Sequence, residues 1–348
     1  MNPVRLMPKR LAPEFPSADG CAQDALQAWA QFDPHGLEPH RIEVLQCKGK
    51  SAIYRLSGVG PEGSAIIAKR CSLDTARVER ILYEEVLPEL GIPFLQCHGL
   101  LAAVDGQNAW LFLDNADGQT YSVQDRSHRA AAGMWLGKLH CSALSLDLSD
   151  CLPTRDFSHY LQLLRSLRTL LRGWLSLGLL PQHDAGVIEL VVSGLAELEA
   201  HWPELEELCC DLPRTVVHGD FVRKNLRVQP GQEQNVLLVF DWEYSAWGVP
   251  AADLVQFVDG TASPDLESYQ AVMGQFRHFE LQRIKGWSEC GRFFRLLDNI
   301  DWSCAAVQPT EYRHLSKPIS YLRVYQERLK QALQAAAWAR KGTCLLHA

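Results

Sequence analysis

The alternation of apolar and polar positions changes character along the chain. Residues 1–19 carry four prolines and no periodicity, and read as a loose arm, while 21–32 have the spacing of a short amphipathic helix. From residue 41, RIEVLQCKGKSAIYRL and SAIIAKRC are short β-type runs separated by GVGPEGS, a strong turn signal. TARVERILYEEVLPEL, from 75 to 90, returns to helical spacing through Val78, Ile81, Leu82 and Val86, and Pro88 with Gly91-Ile92-Pro93 closes it. QCHGLLAAVDGQNAWLFLDN predicts a hairpin turning at Asp105-Gly106. The first third is therefore expected to be a small sheet with one helix inserted in it.

Beyond about residue 126 the pattern is helical. SHRAAAGMWLGKLHCSAL sets Ala132, Leu136, Leu139 and Ala143 on one face, and 157–180 and 185–208 are two further helical stretches. A β-type island interrupts at 214–242, holding VVHGD and VLLVFDW, before helices resume toward RVYQERLKQALQAAAWARK. The expected organisation is an arm and short helix over 1–37, a sheet lobe over 38–118 and a mainly helical lobe over 119–348, an α+β chain of two lobes with a cleft between them.

Composition removes alternatives. The 348 residues are 47% hydrophobic and 22% charged, an ordinary globular balance with enough apolar side chain for a sizeable core. The formal net charge of −7 argues against a nucleic-acid partner, which calls for a basic face. Eleven cysteines with neither a CxxC pair nor zinc spacing read as reduced thiols. The N-terminal segment lacks the apolar core of a signal peptide, and no stretch approaches the ~20 apolar residues of a membrane span, so no membrane partner and a cytoplasmic location are expected.

The chemistry concentrates in RTVVHGDFVRKNLRVQPGQEQNVLLVFDWEYSAW. One apolar run enters His218-Gly219-Asp220, Asn225 follows five residues later, and a second apolar run delivers Asp241. Phosphoryl transfer from ATP uses such a set: one carboxylate orients the attacking hydroxyl and accepts its proton, while a second carboxylate and an amide oxygen hold Mg²⁺ on the phosphates. Asp220 is the expected base, with Asn225 and Asp241 as metal ligands. Arg223 and Lys224, inside the same loop, are candidates to neutralise charge building on the transferred group.

HGDFVRKN resembles the catalytic loop HGDxxxxN of the aminoglycoside phosphotransferase and choline kinase superfamily, a branch of the protein-kinase-like fold. FDWEYSAWGVPAADL resembles the metal-binding segment that follows it there, and GMWLGKLH the helix that precedes it. The resemblance covers roughly 40–340. It implies that the sheet lobe holds the nucleotide, with Lys69 on the phosphates and Glu79 as its acidic partner, Glu84 and Glu85 being the fallback. Gly49 and Ser51 then belong to the phosphate-covering turn, and Leu113, Asp114 and Asn115 to the hinge whose backbone meets adenine. Asp253 resembles the buried aspartate that braces the catalytic loop, and His140 reads as a further brace. The segment departs from the family's pattern at Gly248-Val249-Pro250, which lacks an acidic residue.

Three functions compete. The leading one is an ATP- and Mg²⁺-dependent kinase acting on a hydroxyl of a small molecule. A peptide or protein kinase is disfavoured by Val222, where protein-serine kinases carry lysine two residues after the base, although Lys224 sits where tyrosine kinases carry arginine. An inactive scaffold need retain none of Lys69, Asp220, Asn225 and Asp241. There is no lysine or arginine from Gly173 to Pro213, nor from Val228 to Phe276, and both stretches are acidic. A site lined by one sign of charge concentrates the other, which points to a cationic acceptor such as an amino sugar or amino alcohol.

Overall fold

In the strand Ser51–Ser57 every second side chain, Ala52, Tyr54 and Leu56, is buried, the signature of a strand with one face on a core. It lies in an antiparallel run with Arg41–Lys48 on one side and Ile66–Ser72 on the other, continued by Asn108–Asp114 and Cys97–Ala102. Arg5–Leu6 adds a parallel edge. The computed structural model describes residues 5–6, 18–48, 51–103, 106–146, 148, 150–232, 234–258, 260–304 and 306–336. Gly49, Asp105 and the end of the C-terminal helical run lie outside them. The chain forms two units: one takes it up to Ala131 and then Val222–Ser245, the other takes Ala132–Phe221 and everything from Ala246.

In the first unit, helix α1 (Ala18–Phe32) closes one face of the six-stranded sheet. Trp29 meets Phe112 edge-on at 5.4 Å, and Phe32 stacks on the same ring at 4.5 Å. The opposite face follows from register. Ile53 pairs with Lys69, Arg55 with Ile67, and Ile67 with Leu113, so these side chains share one side of the sheet. Helix α2 (Leu73–Ile81), capped by Ser72, follows the strand that carries Lys69. It buries Ala76 and Glu79, while Val78 and Ile81 stay half-exposed. The helix is therefore rotated from its simplest apolar face so that a carboxylate points inward. Its last turns widen over Leu82–Val86 and tighten over Leu87–Leu90, ending at Gly91 with φ +62°.

The second unit is mainly helical. It contains Ala132 onward of α3 (Arg126–Ser142), then α4 (Phe157–Ser176), α5 (Gln182–Ala200), α6 (Trp202–Leu208), α7 (Leu266–Met273), α8 (Leu281–Cys304) and α9 (Tyr312–Ala335). Ala132, Leu136, Leu139 and Ala143 are all buried, as their spacing predicts. In α4 the stripe Tyr160, Leu164, Leu167, Leu171, Trp174 is buried, and Asp156 caps the helix by accepting from the His159 amide at 3.0 Å. The expected helix over 185–208 is broken at His201, where Pro203 starts α6. A small sheet sets Ala246–Gly248 between Thr154–Arg155 and Thr215–Val217. No helix among the described residues is long and apolar enough to cross a membrane.

Helix α8 approaches the 3₁₀ turn Pro250–Asp253 closely. A Cβ on Gly291 would fall 1.9 Å from the Ala251 carbonyl oxygen. Gly291→Ala must push helix and turn apart, and an overpacked core loses about 1–3 kcal/mol. Gly173, exposed on α4 with nothing within 4 Å of its notional Cβ, is the control: Gly173→Ala should stabilise by up to about 1 kcal/mol through helix propensity. Paired urea melts should therefore move in opposite directions.

Candidate active site

The strand hairpin Leu226–Gln229 with Val236–Val239 builds one end of the site in the first unit. Leu226 pairs with Val239, so Asn225, just before one strand, and Phe240-Asp241, just after the other, share one end of the hairpin. The Phe240 amide donates to the Asn225 carbonyl at 3.1 Å, and the Asn225 amide donates to Val222 at 3.0 Å. Two oxygen-bearing side chains sixteen positions apart in sequence are thereby set side by side. Asp241 adopts φ +69°, a left-handed conformation costly for a non-glycine residue and typical of functional positions.

Asp241 meets Lys69. The Lys69 ammonium donates to Glu79 at 2.5 Å and also to the Asp241 carboxylate, with Lys69 and Glu79 both buried. Burial opposes the charged ammonium, but Glu79, Asp241 and Glu243 outweigh it and hold the lysine's pKa well above its ordinary value. Burial pushes the Glu79 carboxyl up to about 7, against the attraction of Lys69. Lys69 stays an ammonium, because several carboxylates stabilise it while only one cation stabilises the Glu79 carboxylate. Glu84 instead lies beside Arg80 at 3.8 Å and Cys97 at 3.6 Å, so of the three acidic candidates Glu79 is the lysine's partner.

These groups line a cavity of about 520 Å³ whose walls also include Ser51, Leu113, Asp114, Asn115, Lys224 and Asn225. Arg223 is exposed and is not among the lining residues. At the expected hinge, the Asp114 amide donates to Gln96 at 2.9 Å and the Asn115 amide to Ala65 at 3.3 Å, so both backbone donors are engaged within the protein. The Asp114 carboxylate takes His98 at 2.8 Å and the Gln96 amide at 3.1 Å.

Two arginines of this cavity were missed by sequence reasoning. Arg55 donates to Asn115 at 3.1 Å and to Glu43 at 3.0 Å, and the Arg227 guanidinium lies 5.3 Å from the Phe240 ring centroid. Burial and nearby Arg55 lower the Arg227 pKa. The signal for Arg55 was period two: Ser51, Ile53 and Arg55 all line the cavity.

The oxygen donors present suit a hard metal ion. An amide and a carboxylate at one hairpin end, with Glu243 in the same wall, are hard oxygen ligands of the kind Mg²⁺ takes together with phosphate oxygens and water. Among the described residues there is no cluster of three or more His, Cys, Asp or Glu that would hold a metal unaided. The donor set fits a magnesium ion carried with a nucleotide.

Asp220 belongs to the second unit, at the end of the strand Thr215–Val217. Gly219 has φ +75°, which favours glycine at this turn. The amides of His218 and Gly219 donate to opposite oxygens of buried Asp253, at 2.7 and 2.9 Å. His140 Nδ1 lies 3.0 Å from the Tyr269 hydroxyl, and its Nε2 3.5 Å from Asp253. Asp253 is thus a brace for the loop backbone, and His140 supports it from behind. Arg295 of α8 reaches the Asp220 carboxylate itself, Nη1 to Oδ1, at 2.6 Å. Nothing in the sequence spacing pointed to that contact.

Three acids of the stretch from Gly173 to Pro213 have arginine partners within this unit. Glu199 is held by Arg165 at 2.7 Å and by Arg168, Asp211 by Arg283 at 3.2 Å, and Asp184 by Arg323 and the Tyr312 hydroxyl. Asp265 caps α7. These arginines come from outside the acidic stretches, so the charge of Glu199, Asp211 and Asp184 is answered in three dimensions.

The model of the phosphotransferase enzyme family matches residues 63–287. A comparison with curated proteins returns no match. Among solved structures, the chain is similar to the aminoglycoside phosphotransferase APH(2″)-IIIa in complex with GDP and kanamycin, at 12% identity and TM-score 0.59, over 86% of this chain and 97% of that one. It is similar to spectinomycin phosphotransferase APH(9)-Ia with ADP and spectinomycin, at 12% identity and TM-score 0.57, over 90% and 98%. A thermostable mutant of APH(4)-Ia with AMP-PNP and hygromycin B matches at 10% identity and TM-score 0.57, over 91% and 99%. At these identities the likeness carries the fold, a protein-kinase-like one.

Proposed function

The chain belongs to the phosphotransferase enzyme family and is a small-molecule kinase, and from that premise we propose its reaction: transfer of the γ-phosphoryl group of ATP, with Mg²⁺, to a hydroxyl of an amino sugar or amino alcohol. The observation that carries the reading is the Lys69 ammonium held between Glu79 and Asp241 in the wall of a cavity of about 520 Å³. Lys69 binds the phosphates and Glu79 holds it in place. Asn225 and Asp241 would hold the magnesium, which would supply positive charge to offset that gained by the phosphate oxygens. Asp220 orients the acceptor hydroxyl and takes its proton. Lys224, in the cavity wall, is better situated than Arg223 to meet the transferred group. Arg55 is the donor available at the hinge end, where two backbone amides are engaged.

The acceptor class draws its support from the kanamycin, spectinomycin and hygromycin B bound by the similar structures. The test incubates purified protein and Mg·ATP with matched aminated and neutral acceptors, in low and high salt, with GTP as the alternative donor. A phosphorylated aminated product is expected, lost on chelation of Mg²⁺. A preference for the amine made by direct contact should survive salt that screens exposed charges beyond about 10 Å. Nucleotide binding without transfer to any hydroxyl would overturn the proposed reaction.

A further inference from the structure

We propose that Arg295 is a positioning residue for the catalytic base, fixing the Asp220 carboxylate in its ionised form and in one orientation; this rests on the assignment of Asp220 as base. Both side chains are nearly buried, with exposures of 11% for Arg295 and 4% for Asp220. Arg295 lies mid-way along α8, between Phe294 and Leu296, both buried, so the guanidinium extends from a packed platform. Its other face is covered by Trp302, whose ring centroid is 4.8 Å from the guanidinium carbon.

What separates this arginine from an ordinary structural one is its dedication to a single partner. A buried guanidinium offers five donors and in a structural network usually satisfies several acceptors. Among the described residues Asp220 is its one hydrogen-bond acceptor, and its Nε is buried without a partner. The competing carboxylate, Asp298 on the same helix, is taken by Arg155 at 2.6 Å and approached by the Tyr160 hydroxyl at 3.5 Å. Two arginines and two aspartates are thus sorted into pairs, Arg155 with Asp298 and Arg295 with Asp220. Asp253 and the loop amides fix the backbone of Asp220, while Arg295 fixes the carboxylate.

Asp220 faces Arg295 and, through it, Asp298, which is surrounded by Asp301, Arg155 and Tyr160; His218 lies in the loop, with Asp253 and His140 behind it. Asp298 is itself pushed up to about 6 by burial, against Arg155 and Arg295, so the experiment is run with and without Asp298→Asn. A guanidinium in contact with an aspartate favours its ionised form by about 1–3 pH units. The Asp220 carboxyl resonance, assigned with Asp220→Asn, is followed by ¹³C NMR against pH in the wild type, Arg295→Lys and Arg295→Met, alongside phosphate release from Mg·ATP with water as acceptor.

In Arg295→Met the carboxyl midpoint should rise by about one unit or more, and the acidic limb of phosphate release should move with it while the Michaelis constant for ATP holds. Arg295→Lys should restore most of the midpoint and less of the rate. A midpoint unchanged in Arg295→Met, in protein whose circular dichroism remains native, would overturn the proposal. A melting point lowered equally in both variants with neither midpoint moved would show a purely structural arginine. Phosphate release unchanged in Asp220→Asn would refute the base assignment instead, and the carboxyl titration would still judge Arg295.

Discussion

Asp220→Asn should lower phosphoryl transfer by roughly 10²–10⁴, the usual worth of a positioned base, while the melting-temperature rise on adding Mg·ATP stays close to that of the wild type. The two readouts separate because the groups belong to different parts of the chain. Lys69, Glu79, Asn225 and Asp241 lie in the first unit, and Asp220 is braced within the second by Asp253 and Arg295. Asparagine keeps the size and one acceptor oxygen of the side chain, so the contact with Arg295 can persist in neutral form and a folding defect is not expected. The loss should fall on the maximal rate rather than on the Michaelis constant for ATP, as for an interaction made only in the transition state. Full activity of Asp220→Asn on the true acceptor would show that another group takes the proton.

The parts of the site that could be read from the sequence are those fixed by short-range geometry. Asn225 and Asp241 meet because two adjacent strands form a hairpin, and apolar runs bounded by a turn announce that hairpin. The third β-type run carries Lys69, which lies at the middle of its strand, and Glu79 is an acid in the helix that follows. The apolar spacing of 75–90 nevertheless pointed the helix by Val78 and Ile81, whereas the fold buries Glu79. A charged group that must face the site overrides the simplest hydrophobic face.

Contacts made across helices were not legible. Arg295 lies 75 positions from Asp220 and looks like any solvated arginine on an amphipathic helix. The same holds for part of the acidic stretch from Gly173 to Pro213: a partner of Asp184 is Arg323, 139 positions away. Charge read along a chain is a one-dimensional projection, and helical packing brings in counter-charges that the projection omits. Arg227 was hidden differently. It sits two residues past Asn225 inside a segment whose meaning was taken from its neighbours.

Lys69→Met should abolish the stabilisation by Mg·ATP, which in the wild type reaches about 2.7 kcal/mol at a hundred times the dissociation constant, and should make the apo protein's stability depend on pH in a characteristic way. The buried Glu79 carboxyl already sits at about 7 with the ammonium beside it. A carboxyl raised above its unfolded value of about 4.5 holds its proton more tightly in the folded state, so its contribution to stability is greatest at low pH and falls as pH climbs toward the folded pKa. In the wild type that fall ends near pH 7. Without the lysine the folded pKa of Glu79 moves higher still, and the fall continues above pH 7. At pH 6 the variant escapes most of the penalty of a buried unpaired charge, because Glu79 is protonated. At pH 8.5 it must either hold that proton against the solvent or bury an anion. The destabilisation of Lys69→Met relative to wild type should therefore be smallest near pH 6 and grow by about 1.4 kcal/mol for each pH unit over which only the variant stays protonated. Lys69→Met with Glu79→Gln should flatten this dependence and leave nucleotide stabilisation lost. Urea melts at pH 6, 7 and 8.5 decide it: a pH-independent penalty would mean that Glu79 is ionised in both proteins and that the lysine's partner has been misassigned.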